Sequence, residues 1–192
     1  MITRAILLSL SLATALALTG CSDIIKATSE GPIQDDPKSR TTGNFIDDEL
    51  VEIKTLVNIG KASKALSNAH ISVTSYNGIV LLTGQVPSEE SRALAESVAK
   101  QTRKVRKVHN ELTISGPTSH IVRTNDAWIT TKVKASMLGS DKVNAADVKV
   151  VTENGIVYLL GLVSRQEADR AVGLVRESHG VQKIVKMFEY VD

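Results

Sequence analysis

An internal repeat is the feature that most restricts the fold of this chain. Residues 71–86 and 148–163 align without a gap, and the tetrapeptide Asn-Gly-Ile-Val at 77–80 recurs unchanged at 154–157. Self-similarity of this density over such a distance indicates that one structural unit occurs twice in a chain. The sequence therefore predicts two copies of one small domain.

Each copy predicts a β-hairpin. Asn-Gly between two alternating, β-branched runs favours a two-residue turn, because both turn positions take positive φ, which Asn tolerates and Gly favours. We expect residues 70–76 to pair with 79–86, and residues 147–153 to pair with 156–163.

Helices are predicted on both sides of each hairpin. In the second copy Ser164 and Glu167 have the spacing of a capping box, and apolar residues then recur at helical spacing. A corresponding helix follows the first hairpin. The helices that precede the hairpins are expected at residues 47–60 and 126–138. The last strand of each copy is expected at residues 105–114 and 181–190.

The predicted fold class is α+β, with two tandem domains of the order helix-strand-strand-helix-strand. In each domain a three-stranded mixed sheet would pack on two helices. A unit of about 70 residues buries only a marginal core, so packing of the two copies against each other is expected to help. The predicted domains are residues 46–114 and 120–192, joined by a linker at 115–119.

Residues 1–20 have the organisation of a bacterial lipoprotein signal peptide. Arg4 precedes an apolar stretch from Ala5 to Leu18, which has the length of a signal peptide and is shorter than the roughly 20 residues of a membrane-spanning helix. The tetrapeptide Leu-Thr-Gly-Cys that ends at Cys21 resembles the lipobox, and Cys21 is the single cysteine of the chain. An internal disulfide is therefore excluded, and lipidation of Cys21 is predicted. The alternative is an ordinary secretory signal.

What is known of lipoproteins implies a diacylglyceryl group on Cys21 and a third acyl chain, such as palmitate, on the new N-terminus. Ser22 follows the cysteine in place of Asp, which by the same resemblance implies sorting to the outer membrane, on the side that faces the periplasm. Residues 21–45 show no apolar period and are rich in Gly, Pro and polar residues, so they predict a flexible tether.

The two copies resemble BON domains, because each combines the helix-hairpin-helix-strand order with a glycine in the second strand, Gly84 or Gly161. A lipobox, a tether and two such domains resemble the family of dual BON-domain outer-membrane lipoproteins. The resemblance extends from about residue 46 to the end, and residues 125–133 and 152–163 are especially similar.

This resemblance implies a protein without enzymatic activity that binds anionic phospholipid of the phosphatidylglycerol type. It further implies a role at the division site, in envelope integrity and in outer-membrane protein assembly. Lipid contact is attributed to the first helix of the second domain, so the predicted lipid-binding residues are Trp128, Lys132, Lys134, Ala135, Leu138 and Gly139. The first domain has Leu50 at the position of Trp128, so the resemblance does not extend lipid binding to it.

Helical periodicity bears on the position of Trp128. The predicted N-cap is Asn125 or Asp126. The expected core face of the helix comprises Ile129, Val133 and Met137. Trp128 and Lys132 lie on a neighbouring stripe, about 120° away around the helix. A Trp beside a Lys suits a membrane interface, where the ring enters the headgroup region and the ammonium meets phosphate. The alternative is that Trp128 packs between the two domains.

Other classes of function find little support in the sequence. The net charge of +2 and the aromatic content of 3% provide no stacking platform for nucleic acid. The four histidines lack the spacing of metal ligands, and no nucleophile motif or phosphate loop occurs, so no metal, no cofactor and no catalysis are predicted. The basic run at 103–107 is interpreted as a solvated face, with a second lipid or protein contact as the alternative.

Two further functions stay open on the sequence. One is a periplasmic protein-interaction or chaperone-like role that supports outer-membrane protein assembly through strand edges or the basic run. The other is a membrane-active, haemolysin-like virulence factor. The absence of a long amphipathic helix or an apolar span after residue 21 argues against direct lysis.

Overall fold

The computed structural model describes residues 40–191. The predicted signal peptide, Cys21 and most of the predicted tether lie outside the described residues. The elements in chain order are α1 (Thr42–Ala62), α2 (Lys64–Ser67), β1 (His70–Tyr76), β2 (Ile79–Val86), α3 (Glu89–Gln101), β3 (Lys107–Asn110), β4 (Thr113–Ile114), α4 (His120–Leu138), a 3₁₀ helix (Ala145–Asp147), β5 (Val148–Glu153), β6 (Ile156–Val163), α5 (Arg165–Arg176) and β7 (Lys183–Tyr190).

Both Asn-Gly turns have the predicted backbone conformation. The φ angle is 51° at Asn77 and 75° at Gly78, and it is 50° at Asn154 and 73° at Gly155. Positive φ at both central residues is what a type I′ hairpin turn requires. β1 pairs antiparallel with β2, and β5 with β6, so both predicted hairpins are confirmed.

The last strand of each copy returns parallel to the central strand. β3 and β4 both pair with β2, and β7 pairs with β6. The sheet orders are β1-β2-β3, with β4 also on β2, and β5-β6-β7. The predicted α+β class with mixed sheets is confirmed. The strand predicted at 105–114 is divided at Glu111 and Leu112, because the Leu112 side chain turns into the core of the first domain.

Both first helices begin earlier than the sequence predicts. α1 starts at Thr42 and α4 at His120, and in each the preceding residue is the N-cap, whose side-chain oxygen accepts a backbone N–H. The predicted cap at Asn125 or Asp126 is therefore wrong. The first buried residue of α4 is Asp126, so the apolar period begins more than one turn after the helix does.

Each domain has its own hydrophobic core between its helices and one face of its sheet. α1 and α3 cover the first sheet, and α4 and α5 cover the second. α5 begins with the predicted capping box of Ser164 and Glu167. The most deeply buried core residues include Ile59, Val80, Leu82, Val86 and Ala95 in the first domain and Ile129, Val133, Val157, Leu159 and Ala171 in the second.

The repeated glycine lies where the second strand passes close to the first. A Cβ atom on Gly84 would overlap the backbone carbonyl oxygen of His70, and one on Gly161 would overlap that of Asp147. Gly84 also has a φ of 117°, a conformation that side chains other than glycine rarely adopt. Both copies therefore have glycine at this position because the neighbouring strand leaves no space for a Cβ atom.

The other faces of the two sheets pack on each other. Every residue of β2 is buried, because alternate side chains point to the helices and to the second domain. The domains share a core of Tyr76, Leu81, Tyr158, Leu160 and Met187. Full burial of one large apolar side chain stabilises a fold by about 1.5–3 kcal/mol. The result is four layers in the order helices, sheet, sheet, helices, and the predicted packing of the copies is confirmed.

Polar contacts between the domains surround this shared core. Arg106 forms an ion pair with Glu189 (Nη2 to Oε1, 2.7 Å), and the side-chain amide of Asn77 donates to Glu189 Oε2 (2.7 Å). Lys149 Nζ lies 2.6 Å from Glu52 Oε1. These contacts link the first hairpin turn to the last strand, and the second hairpin to α1.

Candidate membrane-contact surface

Asp126 sets the position of α4 on the second domain. Its Oδ2 accepts a hydrogen bond from the backbone N–H of Asn154 (2.9 Å), and its Oδ1 accepts one from that of Gly155 (2.8 Å). The helix is thereby held to the hairpin turn. The predicted core face is confirmed as buried, and comprises Ile129, Val133 and Met137.

Asp48 has the same role in the first domain and makes more contacts. It accepts hydrogen bonds from the backbone N–H groups of Asn77 (2.7 Å) and Gly78 (2.9 Å), from the Ser75 hydroxyl (2.7 Å) and from Arg40 (3.0 Å). Burial raises the pKa of the Asp48 carboxyl, but the four hydrogen bonds outweigh it and hold the pKa below its usual value. Sequence reasoning missed the contact of each aspartate with its turn and considered Asp126 only as an N-cap, although each aspartate precedes its Asn-Gly turn by nearly the same distance.

Trp128 lies on the outer side of α4. The residue is 59% exposed, and at 100° per residue it lies about 140° from the middle of the buried face. Lys132 Nζ lies 5.7 Å from the centre of the Trp128 ring and donates to the carbonyl oxygen of His179 (3.3 Å). The alternative that Trp128 packs between the domains is wrong, because the shared core contains neither Trp128 nor its neighbours.

The six predicted lipid-binding residues do not share one stripe. Ala135 and Gly139 are exposed on the same side of α4 as Trp128. Lys134 and Leu138 are also exposed, but they lie about 80–120° further round the helix. The predicted lipid-binding residues therefore occupy two sides of α4, which we call the Trp128 side and the Lys134 side.

Lys134 and Leu138 line a cleft of about 400 Å³ where the two domains meet. Across this cleft the guanidinium of Arg40 lies over two rings, 4.8 Å from the centre of Phe45 and 4.6 Å from that of Tyr76. Leu138 is 77% exposed. The cleft therefore has apolar walls with cationic groups at its border, next to the end of α4.

α1 of the first domain exposes more large apolar residues than α4 of the second domain. We define the α1 stripe as Ile46, Leu50, Ile53 and Val57, which are 56%, 45%, 59% and 45% exposed. Sequence reasoning considered only Leu50, as the counterpart of Trp128. Winding the whole of α1 at 100° per residue would have revealed a second apolar face.

The basic run at 103–107 is partly used within the fold. Lys104 pairs with Asp47 of α1 (2.5 Å), and Arg106 pairs with Glu189 of the second domain. The run is therefore more than a solvated face, since it helps to hold α1 and the two domains together.

Within residues 40–191 no group of three or more His, Cys, Asp or Glu side chains is placed to hold a metal ion. Burial and then Lys107 lower the pKa of His109, and burial raises the pKa of Tyr158 to about 12. Tyr158 belongs to the shared core. No helix of the described chain is long and apolar enough to cross a bilayer.

Comparison with known proteins agrees with this architecture. The BON domain model matches residues 54–116 and 125–192. The outer membrane lipoprotein DolP of Haemophilus influenzae is 41% identical over 80% of this chain and 79% of its own. A 21 kDa hemolysin of Actinobacillus pleuropneumoniae is 36% identical over 79% of this chain and 78% of its own. The osmotically inducible protein Y of Escherichia coli is 30% identical over 78% and 75%.

The similarity to the outer-membrane lipoprotein and to the osmotically inducible protein supports a cell-envelope location. The BON domain model matches both copies of the fold, and DolP of Haemophilus influenzae is similar over most of both chains. The chain belongs to the BON-domain family, with two BON domains in the manner of DolP.

Proposed function

We propose that this protein is an outer-membrane lipoprotein, anchored through Cys21 on the periplasmic side, that binds anionic phospholipid through the Trp128 side of α4. Its role is to maintain the integrity of the envelope, at the division site, by binding rather than by catalysis. The cell-envelope location is supported by the relatives, and the lipid contact rests on the exposure of Trp128.

The observation that carries the proposal is an exposed Trp next to a Lys on a helix that is firmly held by its domain. Trp is amphipathic and prefers the boundary between headgroups and acyl chains, while an ammonium group near an anionic surface contributes about 1 kcal/mol. Lys132 lies beside the Trp128 ring, so both interactions are available on one side of α4. A lipid anchor would make this weak contact effective, because the second contact becomes intramolecular.

The lipid contact is tested with the chain from Ser22 onward, without lipid, in sedimentation with phosphatidylglycerol vesicles. Replacing Trp128 by Glu is expected to weaken binding by roughly tenfold or more, since it removes a large apolar insertion and adds repulsion. Ala127→Glu is the matched control, because it adds the same charge at a neighbouring exposed position of α4. Equal binding by wild type and Trp128→Glu would contradict the proposal.

The anchor is tested separately in cells. Cys21→Ser is expected to abolish incorporation of labelled palmitate and to release the protein from the outer-membrane fraction. Continued labelling of the Ser variant would contradict lipidation at Cys21.

A further inference from the structure

The α1 stripe is an apolar surface that the fold does not use. Its four residues, Ile46, Leu50, Ile53 and Val57, recur at helical spacing along α1. Each is between 45% and 59% exposed. They lie about 175° around the helix from the buried face, which comprises Asp48, Val51, Thr55 and Ile59. Phe45 and Leu56, which are 48% and 44% exposed, extend the apolar surface at one side.

Cations border the other side of the α1 stripe. Lys54 and Lys61 lie about 50–70° round the helix from its middle, and Arg103 lines a cleft together with Leu50 and Lys54. Within residues 40–191 none of these three cations has an ion-pair partner. The charged residue on the opposite border is Glu49, which is exposed. Unpaired cations beside an apolar stripe complement an anionic surface with an apolar interior.

The α1 stripe and the Trp128 side of α4 belong to opposite layers of the molecule. α1 lies on the outer face of the first sheet and α4 on the outer face of the second, and the two sheets pack on each other between them. Each stripe points away from its own sheet. One flat surface that contacts Trp128 therefore leaves the α1 stripe uncovered.

We propose that the α1 stripe is a second bilayer-contact face that binds anionic phospholipid independently of α4. The identity of the ligand, anionic phospholipid, rests on the proposed function. The presence of an exposed apolar stripe on α1 is independent of that function. An amphipathic helix that lies in a membrane interface needs an apolar stripe with Lys or Arg at its border, and α1 has both. The unpaired cations at the border favour an anionic bilayer over a second copy of this chain, which would bring the same positive charges to the interface.

The proposed anchor allows either the α1 stripe or the Trp128 side of α4 to contact the leaflet that holds the lipidated Cys21. The segment from Cys21 to Thr42 can span at most about 70 Å when fully extended. Four layers packed about 10 Å apart are thinner than this. The protein can therefore lie on the membrane by α1 or by α4, and without its lipid it can hold two anionic surfaces at once.

The experiment uses the chain from Ser22 onward with phosphatidylglycerol vesicles, and measures both binding by sedimentation and vesicle clustering by turbidity. Ile53→Glu alters the most exposed residue of the α1 stripe, and Ile53→Ser removes the apolar contact without adding charge. Asn58→Ser is the matched control for Ile53→Ser, because Asn58 is exposed on α1 outside the stripe and the change adds no charge beside Lys54 and Lys61. Phosphatidylcholine vesicles test the requirement for anionic lipid. Unchanged circular dichroism and melting temperature establish that the variants fold.

The wild type is expected to cluster phosphatidylglycerol vesicles, and Ile53→Glu to bind them without clustering. In a Trp128→Glu background, Ile53→Glu is expected to lower the residual affinity by roughly tenfold, with Ile53→Ser intermediate. Wild-type binding and clustering by Ile53→Glu would overturn the proposal. Conversion of a wild-type dimer to a monomer by Ile53→Glu, seen by sedimentation velocity, would overturn it in favour of a second copy.

Failure of this inference is distinguishable from failure of the proposed function. If Trp128→Glu alone abolishes all vesicle binding, α4 is the single contact and the α1 proposal is wrong. If Trp128→Glu has no effect and Ile53→Glu abolishes binding, the α1 proposal stands and the function proposed for α4 fails. If neither single variant nor the double variant changes binding, both proposals are wrong.

Discussion

In both domains a carboxylate from the first helix holds the Asn-Gly turn, but the two carboxylates have different surroundings. Asp48 accepts hydrogen bonds from the turn, from Ser75 and from Arg40, whereas the turn contacts of Asp126 are two backbone N–H bonds. The outer sides of the same helices also differ, because α1 exposes an aliphatic stripe, whereas α4 exposes Trp128, Ile121 and Leu138.

The two copies of the fold therefore have the same internal supports, whereas their outer surfaces differ. The turn, the helix carboxylate and the second-strand glycine recur because backbone geometry demands them. The outward residues of α1 and α4 touch nothing in either core, so each can suit a different contact. Four predictions test these supports and the contact that links the two domains.

The largest effect is expected at the repeated glycine. Gly84→Ala should destabilise the fold by about 3 kcal/mol or more, since it combines overlap with the His70 carbonyl oxygen and a φ that only glycine adopts readily. Gly161→Ala should cost about 1–3 kcal/mol, because it has the overlap without the positive φ. Urea unfolding followed by circular dichroism measures both, and an equal loss would show that φ at Gly84 contributes nothing.

A smaller effect is expected at the helix carboxylates. Asp48→Asn should lower the free energy of unfolding by about 2–3 kcal/mol and Asp126→Asn by about 1–2 kcal/mol, because hydrogen bonds to a buried charged group are strong and Asp48 accepts more of them. The ranking is checked by urea unfolding at neutral pH. The reverse order would break the comparison.

The pH dependence is the control for Asp48. Its pKa is held below the usual value, so its contribution to stability is complete above the ordinary aspartate pKa of about 3.9 and is lost as the pH falls toward the folded-state pKa. Stability should therefore rise with pH in this acidic window. Asp48→Asn should flatten that rise, and an unchanged slope would assign it to other carboxyl groups.

The smallest effect is expected at the link between the domains. Glu189→Gln removes the ion pair with Arg106 but leaves an amide oxygen that can accept from Asn77. Arg106 has 55% of its side chain exposed, so the loss should be about 1 kcal/mol or less and should shrink in high salt. Unfolding measured at low and high ionic strength checks this, and a larger, salt-independent loss would mean that the apolar interface depends on Glu189.

Much of the fold could be predicted because its determinants are local. The Asn-Gly turns specify the hairpins, the Ser164 capping box specifies the start of α5, and the period of Ile129, Val133 and Met137 specifies the core face of α4. The starts of α1 and α4 could not be found in this way, because their first turns lie beyond the core and carry no apolar period.

Local patterns were enough to predict the repeat, the hairpins, the fold class and the position of Trp128 away from the core face of α4, since each depends on residues near one another in the chain. Three features appeared only in the folded chain: the sheets pack face to face, Asp48 and Asp126 hold turns nearly thirty residues away, and α1 and α4 occupy opposite layers. Those features depend on contacts between distant segments. The spacing of apolar residues does not reveal which faces of helices and sheets pack together, because the same spacing occurs on buried and on exposed faces.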